Sequence, residues 1–327
     1  MMEGTHARSA LSATSLARLF HTPSLLYFVS VAETLSMRET ARRLNVASSA
    51  VARQIGHLED SLGMLLFSRE SKRLRLTPAG EVLLRHARDL VRPLESAVSE
   101  LDLLAGLRSG TVRIATVESV GLTILPRLIA EFGVRYPRLQ VESRIAASGD
   151  VIDLLANAAV DIGFTFVTRP LRDIDVAVRR DLPIGVVMRP DHPLAALAEP
   201  HFADCFQHAC AMPARSLSIR QVIEPHLARL PEPPHALVES NSVRMLFELA
   251  RSGRYAAFLT PLGIEREIGS GEVVFRPIAD RDLPLNRFAV IVRSGAGLRF
   301  APAAFFDHVR TYFDGAGTLS EFAANGG

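Results

Sequence analysis

The sequence predicts a multi-domain α+β chain: a small helical head ending in a basic hairpin, one long helix, and a C-terminal α/β region. Three observations predict it. Apolar residues recur at spacings of three and four from Ala41 to Leu62, with one break at Asn45-Val46. The same spacing runs without a miss from Leu83 to Leu104. From Thr111 onward short strand-like runs alternate with helical ones ("TVRIATV", "LPRLIAEFGVRYP", "LQVESRI", "DVIDLLANAA", "VDIGFTF"), which argues for a largely parallel sheet. The expected boundaries are a disordered leader over 1–22, the head over 23–76, the long helix over 77–108, the α/β domain over 111–313 and a tail over 314–327.

At 327 residues the chain has room for about two domains. Its net charge of +2 decides nothing, because local distribution matters more than the total. Between Ser36 and Leu76, eight basic residues (Arg38, Arg42, Arg43, Arg53, Arg69, Lys72, Arg73, Arg75) oppose four acidic ones, a local +4. Lys72 is the only lysine, so a Gly-Lys-Ser/Thr phosphate loop is excluded. Two cysteines, Cys205 and Cys210, fit a reducing compartment and no disulfide framework. No apolar run approaches the ~18 residues of a spanning helix. The Arg- and Ser-rich start is not read as a signal peptide, since Leu25 to Ala32 is short and interrupted by Tyr27 and Ser30. A cytoplasmic location is expected, with no membrane partner.

In "SMRETARRLNVASSAVARQIGHLEDSLG" the apolar set is Ala41, Leu44, Val46, Val51, Ile55, Leu58 and Leu62. It gives two helices, and Asn45 suits the turn because Asn tolerates the left-handed conformation that ends a helix. Ala41 is small where the helices cross. This is helix-turn-helix geometry. The second helix exposes Ser48, Ser49, Ala52, Arg53, Gln54 and His57, and its short side chains allow the backbone to approach the floor of a DNA major groove. Gln and Arg make bidentate contacts with base edges.

In "LFSRESKRLRLTPAG", Arg69, Lys72, Arg73 and Arg75 crowd onto a turn between short strands. Such a cluster repels itself unless it faces a polyanion, and phosphate contacts supply most salt-dependent affinity. The alternative for the second helix is a solvated bundle face, which leaves the basic hairpin unexplained. Ser36 and Arg38, at the start of the first of the two helices, join the expected DNA contacts.

The run "FVSVAETLSMRETARRLNVASSAVARQIGHLEDSLGMLLFSRESKRLRLTPAGEVLL" resembles, nearly element for element, the winged helix-turn-helix of the LysR-type transcriptional regulators, a bacterial family. "QIGHLEDSLGMLLFSR" and "LTPAG" are its most specific pieces. The resemblance continues weakly through "VDIGF", "HPLA" and "SNSVRMLFELARSGRYAAFLTP" to about Tyr312. It implies that Ser48, Ser49, Arg53 and Gln54 lie where the family contacts bases and nearby phosphates, and Arg69 where its wing contacts the backbone. Leu35 stands where the family usually has Gly, Thr40 replaces the first of a paired Ala-Ala, and Ala52 replaces a usual Ser.

Thr77 suits an N-cap and Pro78 the first helical position. Beyond them, Leu83, Ala87, Leu90, Leu94, Ala97, Leu101 and Leu104 form a heptad seam, the spacing that pairs two helices. A homodimer is expected on that seam. The alternative is a single amphipathic helix packed on its own domain. Pro93 deletes one backbone hydrogen bond and is expected to kink the helix.

In the α/β region, Glu118-Ser119-Val120 occupies the turn after the first strand, and Ser148 opens a helix with Asp150 as a candidate cap. Both serines also fit ordinary capping. Helix N-termini are anion sites in principle. The resemblance implies a two-subdomain fold similar to type 2 periplasmic binding proteins, with subdomain I over about 111–167 and 276–313 and subdomain II over about 168–275. The matching effector-cleft positions are Ser119, Val120, Ser148, the strand end Phe164 to Thr168 (Phe166 and Thr168 in particular), Asn241 and Thr260. Strand alternation is expected to leave only one of Phe164 and Phe166 facing in. Hydroxyls, amides and helix N-termini around one cleft suit a small organic anion such as a carboxylate. The family's usual Gly-x-Gly is here Gly253-Arg254-Tyr255. The resemblance also implies a homotetramer.

Cys205 and Cys210 flank "FQHA", with His201 and His208 nearby. The spacing matches no standard zinc pattern, and a buried structural role is the expectation. No cofactor or metal is expected. An enzyme is disfavoured, because the chain has no Gly-x-Ser-x-Gly elbow, no His-Glu-x-x-His and no Gly-rich fingerprint. The reading is a sequence-specific regulator of double-stranded promoter or operator DNA controlled by a small effector. The alternatives are a ligand-independent DNA binder with a degenerate effector domain, and a solute-binding protein, which leaves residues 23 to 108 without a purpose.

Overall fold

Helix α1 (Thr22–Thr34) buries Leu25, Phe28, Val31 and Ala32 at helical spacing. It ends at Leu35, whose φ of +49° lies in the left-handed region. Helix α2 (Met37–Arg43) starts at Ser36, whose hydroxyl accepts from the Glu39 N–H, with Glu39 in its first turn and Arg42 and Arg43 in its last. Asn45 takes φ +53°, and α3 (Ser48–Leu62) follows, burying Val51, Ile55 and Leu58 and closing on Gly63 at φ +63°. The expected turn is therefore observed. Leu44, placed in the apolar set, is 37% exposed. Buried Thr40 sets its hydroxyl 2.8 Å from that of Thr34, so the departure from alanine brings its own partner.

These residues belong to the computed structural model, which describes residues 22–70, 73–90, 110–230, 238–294, 298 and 300–315. The chain divides into two compact units, Met1–Val98 and Ser99–Gly327. In the first, β1 (Phe67–Glu70) pairs antiparallel with β2 (Arg73–Leu76), with Phe67 opposite Leu76 and Glu70 opposite Arg73. The hairpin tip 71–72 is outside the described residues, as are the side chains of Arg69 and Arg73. Thr77 caps the next helix as expected, its hydroxyl accepting from the Gly80 N–H at 3.0 Å. Gly80 has no room for a side chain: a Cβ there meets the Leu66 carbonyl oxygen at 2.1 Å.

That helix, α4, is described over 78–90. Here the seam expectation needs correcting. Ala87 is fully buried, and together with Leu84 it packs into the core of its own head, while Leu83 is half-buried and Leu90 is exposed. A helix lying on a domain spends one stripe on that domain, and the three-and-four count merged this stripe with any outer one. Leu94, Ala97, Leu101, Leu104 and Pro93 lie outside the described residues.

The second unit contains two five-stranded sheets. The first runs β4 (Leu139–Ile145), β3 (Gly110–Thr116), β5 (Ile162–Phe166), β12 (Asn286–Arg293) and β6 (Ile174–Leu182). The second runs β11 (Val274–Pro277), β7 (Gly185–Met188), β10 (Ala256–Leu259), β8 (Cys210–Pro213) and β9 (Val238–Ser240). Only β4-β3-β5 and β10-β8-β9 are parallel; β12, β6, β7 and β11 pair antiparallel, so each sheet is mixed rather than largely parallel.

Both faces of the first sheet are covered. Phe288 and Val290 join the cluster under α6 (Ile124–Arg135) and α12 (Phe300–Gly315), while Ala289 and Ile291 join the one under α7 (Ser148–Ala156). Phe164 and Phe166 lie in the same cluster, since residues two apart share a face; the expectation that one would turn away was wrong. The subdomain boundary also moves. β6 pairs with β12 along its length, so 174–182 belongs to the first subdomain, and the chain crosses to the second sheet between Leu182 and Gly185. It returns between Pro277 and Asn286.

In the second sheet's core, both cysteines are buried, and Cys210 donates its S–H to the Cys205 carbonyl oxygen at 3.0 Å. Burial pushes the Cys210 thiol up to about 12 and the Cys205 thiol higher still. Both stay protonated and pack as small apolar groups.

Candidate functional site

In the head, the outward side of α3 carries Ser48, Ser49, Ala52, Arg53 and His57, all exposed. Gln54 is half-buried, and its Oε1 accepts from the hydroxyl of buried Ser24 on α1 at 2.8 Å, which orients the amide. The N-cap of α3 is Ala47, which makes no side-chain cap bond, so the first N–H groups of the helix are left without a cap. Arg38 and Arg75 are exposed. Ser36 is engaged as the α2 cap. The side chains of Arg69, Lys72 and Arg73 are outside the described residues.

In the second unit, a cavity of about 320 Å³ opens between the two sheets. Ser119, Ser148, Phe166, Asn241 and Thr260, positions that the resemblance implied, line it. Val120 does not, being fully buried in the first subdomain's core. Thr168 is also absent from the lining, because β5 ends at Phe166. Sequence reading missed Glu118, Ser216, Ser218 and Ser242, which line the same cavity.

The serines are not conventional caps. Ser119 lies within the short α5 (Glu118–Gly121), and Ser148 is the first residue of α7. The N-cap of α7 is Ala147 and that of α9 (Ser218–Leu227) is Leu217; neither makes a side-chain cap bond. Asp150 sits in the first turn of α7 rather than capping it. Both uncapped ends line the cavity, one from each subdomain. Helix α10 (Val243–Arg251) differs: Ser242 caps it, and Glu118 reaches it from the opposite subdomain. Glu118 Oε1 accepts from the Ser242 hydroxyl at 2.8 Å, and Oε2 accepts from the N–H groups of Val243 at 2.5 Å and Arg244 at 3.4 Å.

Other contacts join the two subdomains. Leu262, just after β10, inserts into the first subdomain's core. Gly263, at φ +91°, packs so closely that a Cβ meets the Ser119 carbonyl oxygen at 2.6 Å. Asn286 donates from Nδ2 to the Ser218 hydroxyl at 3.2 Å. Gly253-Arg254-Tyr255 is not part of the lining, and Tyr255 packs against the second sheet's core.

Residues 23–81 match the model of bacterial regulatory helix-turn-helix proteins of the lysR family, and residues 105–314 match that of the LysR substrate binding domain. This chain is a LysR-type transcriptional regulator. The regulator is 26% identical over 278 residues to the HTH-type transcriptional regulator BbuR of Bordetella bronchiseptica, covering 85% of this chain and 86% of that one. It is 27% identical over 288 residues to CbbR of Rhodospirillum rubrum, covering 87% and 93%. Among solved structures it is similar to full-length OxyR from Pseudomonas aeruginosa, a cysteine-to-aspartate variant (TM-score 0.68, 20% identity, 90% and 95% covered). ArgP from Mycobacterium tuberculosis gives a TM-score of 0.67 at 21% identity, with 90% and 97% covered. At these identities the structural likeness establishes the fold alone. The LysR-type regulator thus pairs a DNA-binding head with the effector-controlled domain of its family.

Proposed function

We propose that this regulator reads operator DNA with the exposed face of α3 and takes a small organic anion, a carboxylate, in the cleft of its second unit. The observation that carries the anion is the pair of uncapped N-termini of α7 and α9 on one cavity whose lining, among the described residues, holds no basic side chain. Each helix N-terminus carries a partial positive charge of roughly +0.5 and unused N–H donors, so the two together match one carboxylate. Ser148, Ser218, Asn241 and Thr260 add hydroxyl and amide partners around it. That Tyr255 stands away from the cavity favours a working effector domain over a degenerate one.

In the head, Ser48, Ser49, Arg53, Gln54 and His57 are proposed to meet base edges and nearby phosphates. The wing's Arg69, Lys72, Arg73 and Arg75, with Arg38, are proposed to grip the backbone. The uncapped start of α3 offers a further phosphate contact. The regulator works as a homodimer through the helix beginning at Pro78, and as a tetramer through its second units, in the cytoplasm where the operator is. Effector binding shifts the population between two arrangements and so the bend of the DNA.

The test is quantitative DNA binding by two variants. Arg53→Ala is expected to relax sequence preference, at a cost of about 1–3 kcal/mol on the preferred site. Arg75→Ala is expected to weaken all duplexes alike and flatten the salt dependence by about one unit of slope. Identical behaviour of the two variants removes the division between base readers and backbone grips.

A further inference from the structure

Resting on the carboxylate reading of the cleft, we propose that Glu118 sets the charge of the ligand: the cavity takes a monocarboxylate and turns away a dicarboxylate. Three helices of nine or ten residues bring their N-termini to this cavity, α7, α9 and α10. The third is already occupied from within the chain. Glu118 accepts from Ser242, Val243 and Arg244, and Ser242 in turn accepts from the Met245 N–H at 3.1 Å, so the first donors of α10 are spent. Glu118 is also the only ionisable residue in the described lining.

The charges then decide the class of ligand. A single helix end offers roughly +0.5, so Glu118 more than offsets α10, while α7 and α9 together offer about +1. One carboxylate neutralises that pair. A second carboxylate on the same small molecule finds only neutral hydroxyl and amide groups in the described lining of a cavity of about 320 Å³, with no further free end among the three helices, and it faces the Glu118 carboxylate. A fitting ligand also carries an apolar part, because Ile145, Phe166, Leu217 and Ile219 line the cavity beside its hydroxyl and amide groups.

The experiment uses the full-length regulator and matched pairs of acids, butyrate against succinate and benzoate against phthalate, with binding read by calorimetry and by thermal shift. The wild type is expected to bind the monoacid of each pair roughly tenfold or more tighter. In Glu118→Gln, which keeps an acceptor for α10 but removes the charge, that preference shrinks toward parity or inverts. Glu118→Ala, which frees the α10 terminus, inverts it. The wild-type ranking stands on its own if a variant fails to fold. A wild type that favours the diacids, or a Glu118→Gln ranking unchanged from wild type, overturns the role of Glu118 alone. Absence of binding by every acid in wild type and variants overturns the carboxylate reading itself.

Discussion

The Oε1 atom of Glu59 accepts two backbone hydrogen bonds, from the N–H of Leu66 at 2.7 Å and of Phe67 at 3.0 Å. One carboxylate on α3, the helix proposed to read bases, therefore fixes the start of β1. Glu59→Ala strands both donors beside the buried Leu66 and Phe67 and is expected to destabilise the head by about 1–3 kcal/mol. Urea unfolding followed by circular dichroism measures this. A midpoint equal to wild type contradicts it.

Leu35 ends α1 with φ +49° and is 46% exposed, so its side chain earns little packing while holding a backbone conformation costly for an L-residue. Leu35→Gly relieves roughly 1–2 kcal/mol of strain against a smaller rise in unfolded-chain entropy. The variant is expected to melt a few degrees higher, by about 1 kcal/mol net. A lower melting temperature contradicts the strain at Leu35.

Ala147 holds the N-cap position of α7 in an extended conformation and offers no cap. Ala147→Asp supplies one, and is expected to raise stability by about 0.5–2 kcal/mol. The same carboxylate occupies the donors proposed for the effector, so the thermal shift on adding butyrate or benzoate vanishes. A variant that is stabilised yet still responds to carboxylates places the anion elsewhere in the cleft.

His192 is 6% exposed, and its Nδ1 accepts from the Leu194 N–H at 3.2 Å, a bond that requires the neutral ring. Burial first, and His208 second with its ring centroid 5.3 Å away, hold its pKa below the ordinary 6.5. Below that value the unfolded chain takes a proton that the folded chain refuses, so stability is full above about pH 6.5 and falls as pH drops through it. His192→Asn keeps an acceptor for Leu194 and removes the titration. Melting temperatures between about pH 8 and about pH 5 are expected to fall for wild type and to fall less for the variant. Superimposable profiles rule out His192 as the source.

Local signals carried the head. The Asn45 turn, the Thr77 cap and the apolar stripe of α3 each follow from neighbouring residues, and each is observed. What the sequence could not show is set by partners far along the chain. Strand β6 carries no mark that it pairs with β12, whose residues lie about a hundred positions later, nor that the pair is antiparallel. The stripe on α4 shows apolar spacing but not which neighbour it meets, so Ala87 was assigned outward when it packs inward. In the cleft, Ser119 and Ser148 were legible as residues beside helix starts. Glu118 was in plain view in the same turn, but its role depends on Ser242, 124 residues away, and no local pattern links the two.

The central claim is that α3 and the wing hold duplex DNA while a carboxylate in the second unit changes how they do so. It is tested most directly by nuclease protection of the duplex upstream of the regulator's own coding sequence, at about 50 and about 200 mM salt, with and without butyrate or benzoate. The predicted result is a protected region at the lower salt, a steep loss of protection at the higher, and a change in the protected boundaries when the monocarboxylate is added. Absence of protection even at the lower salt contradicts the account.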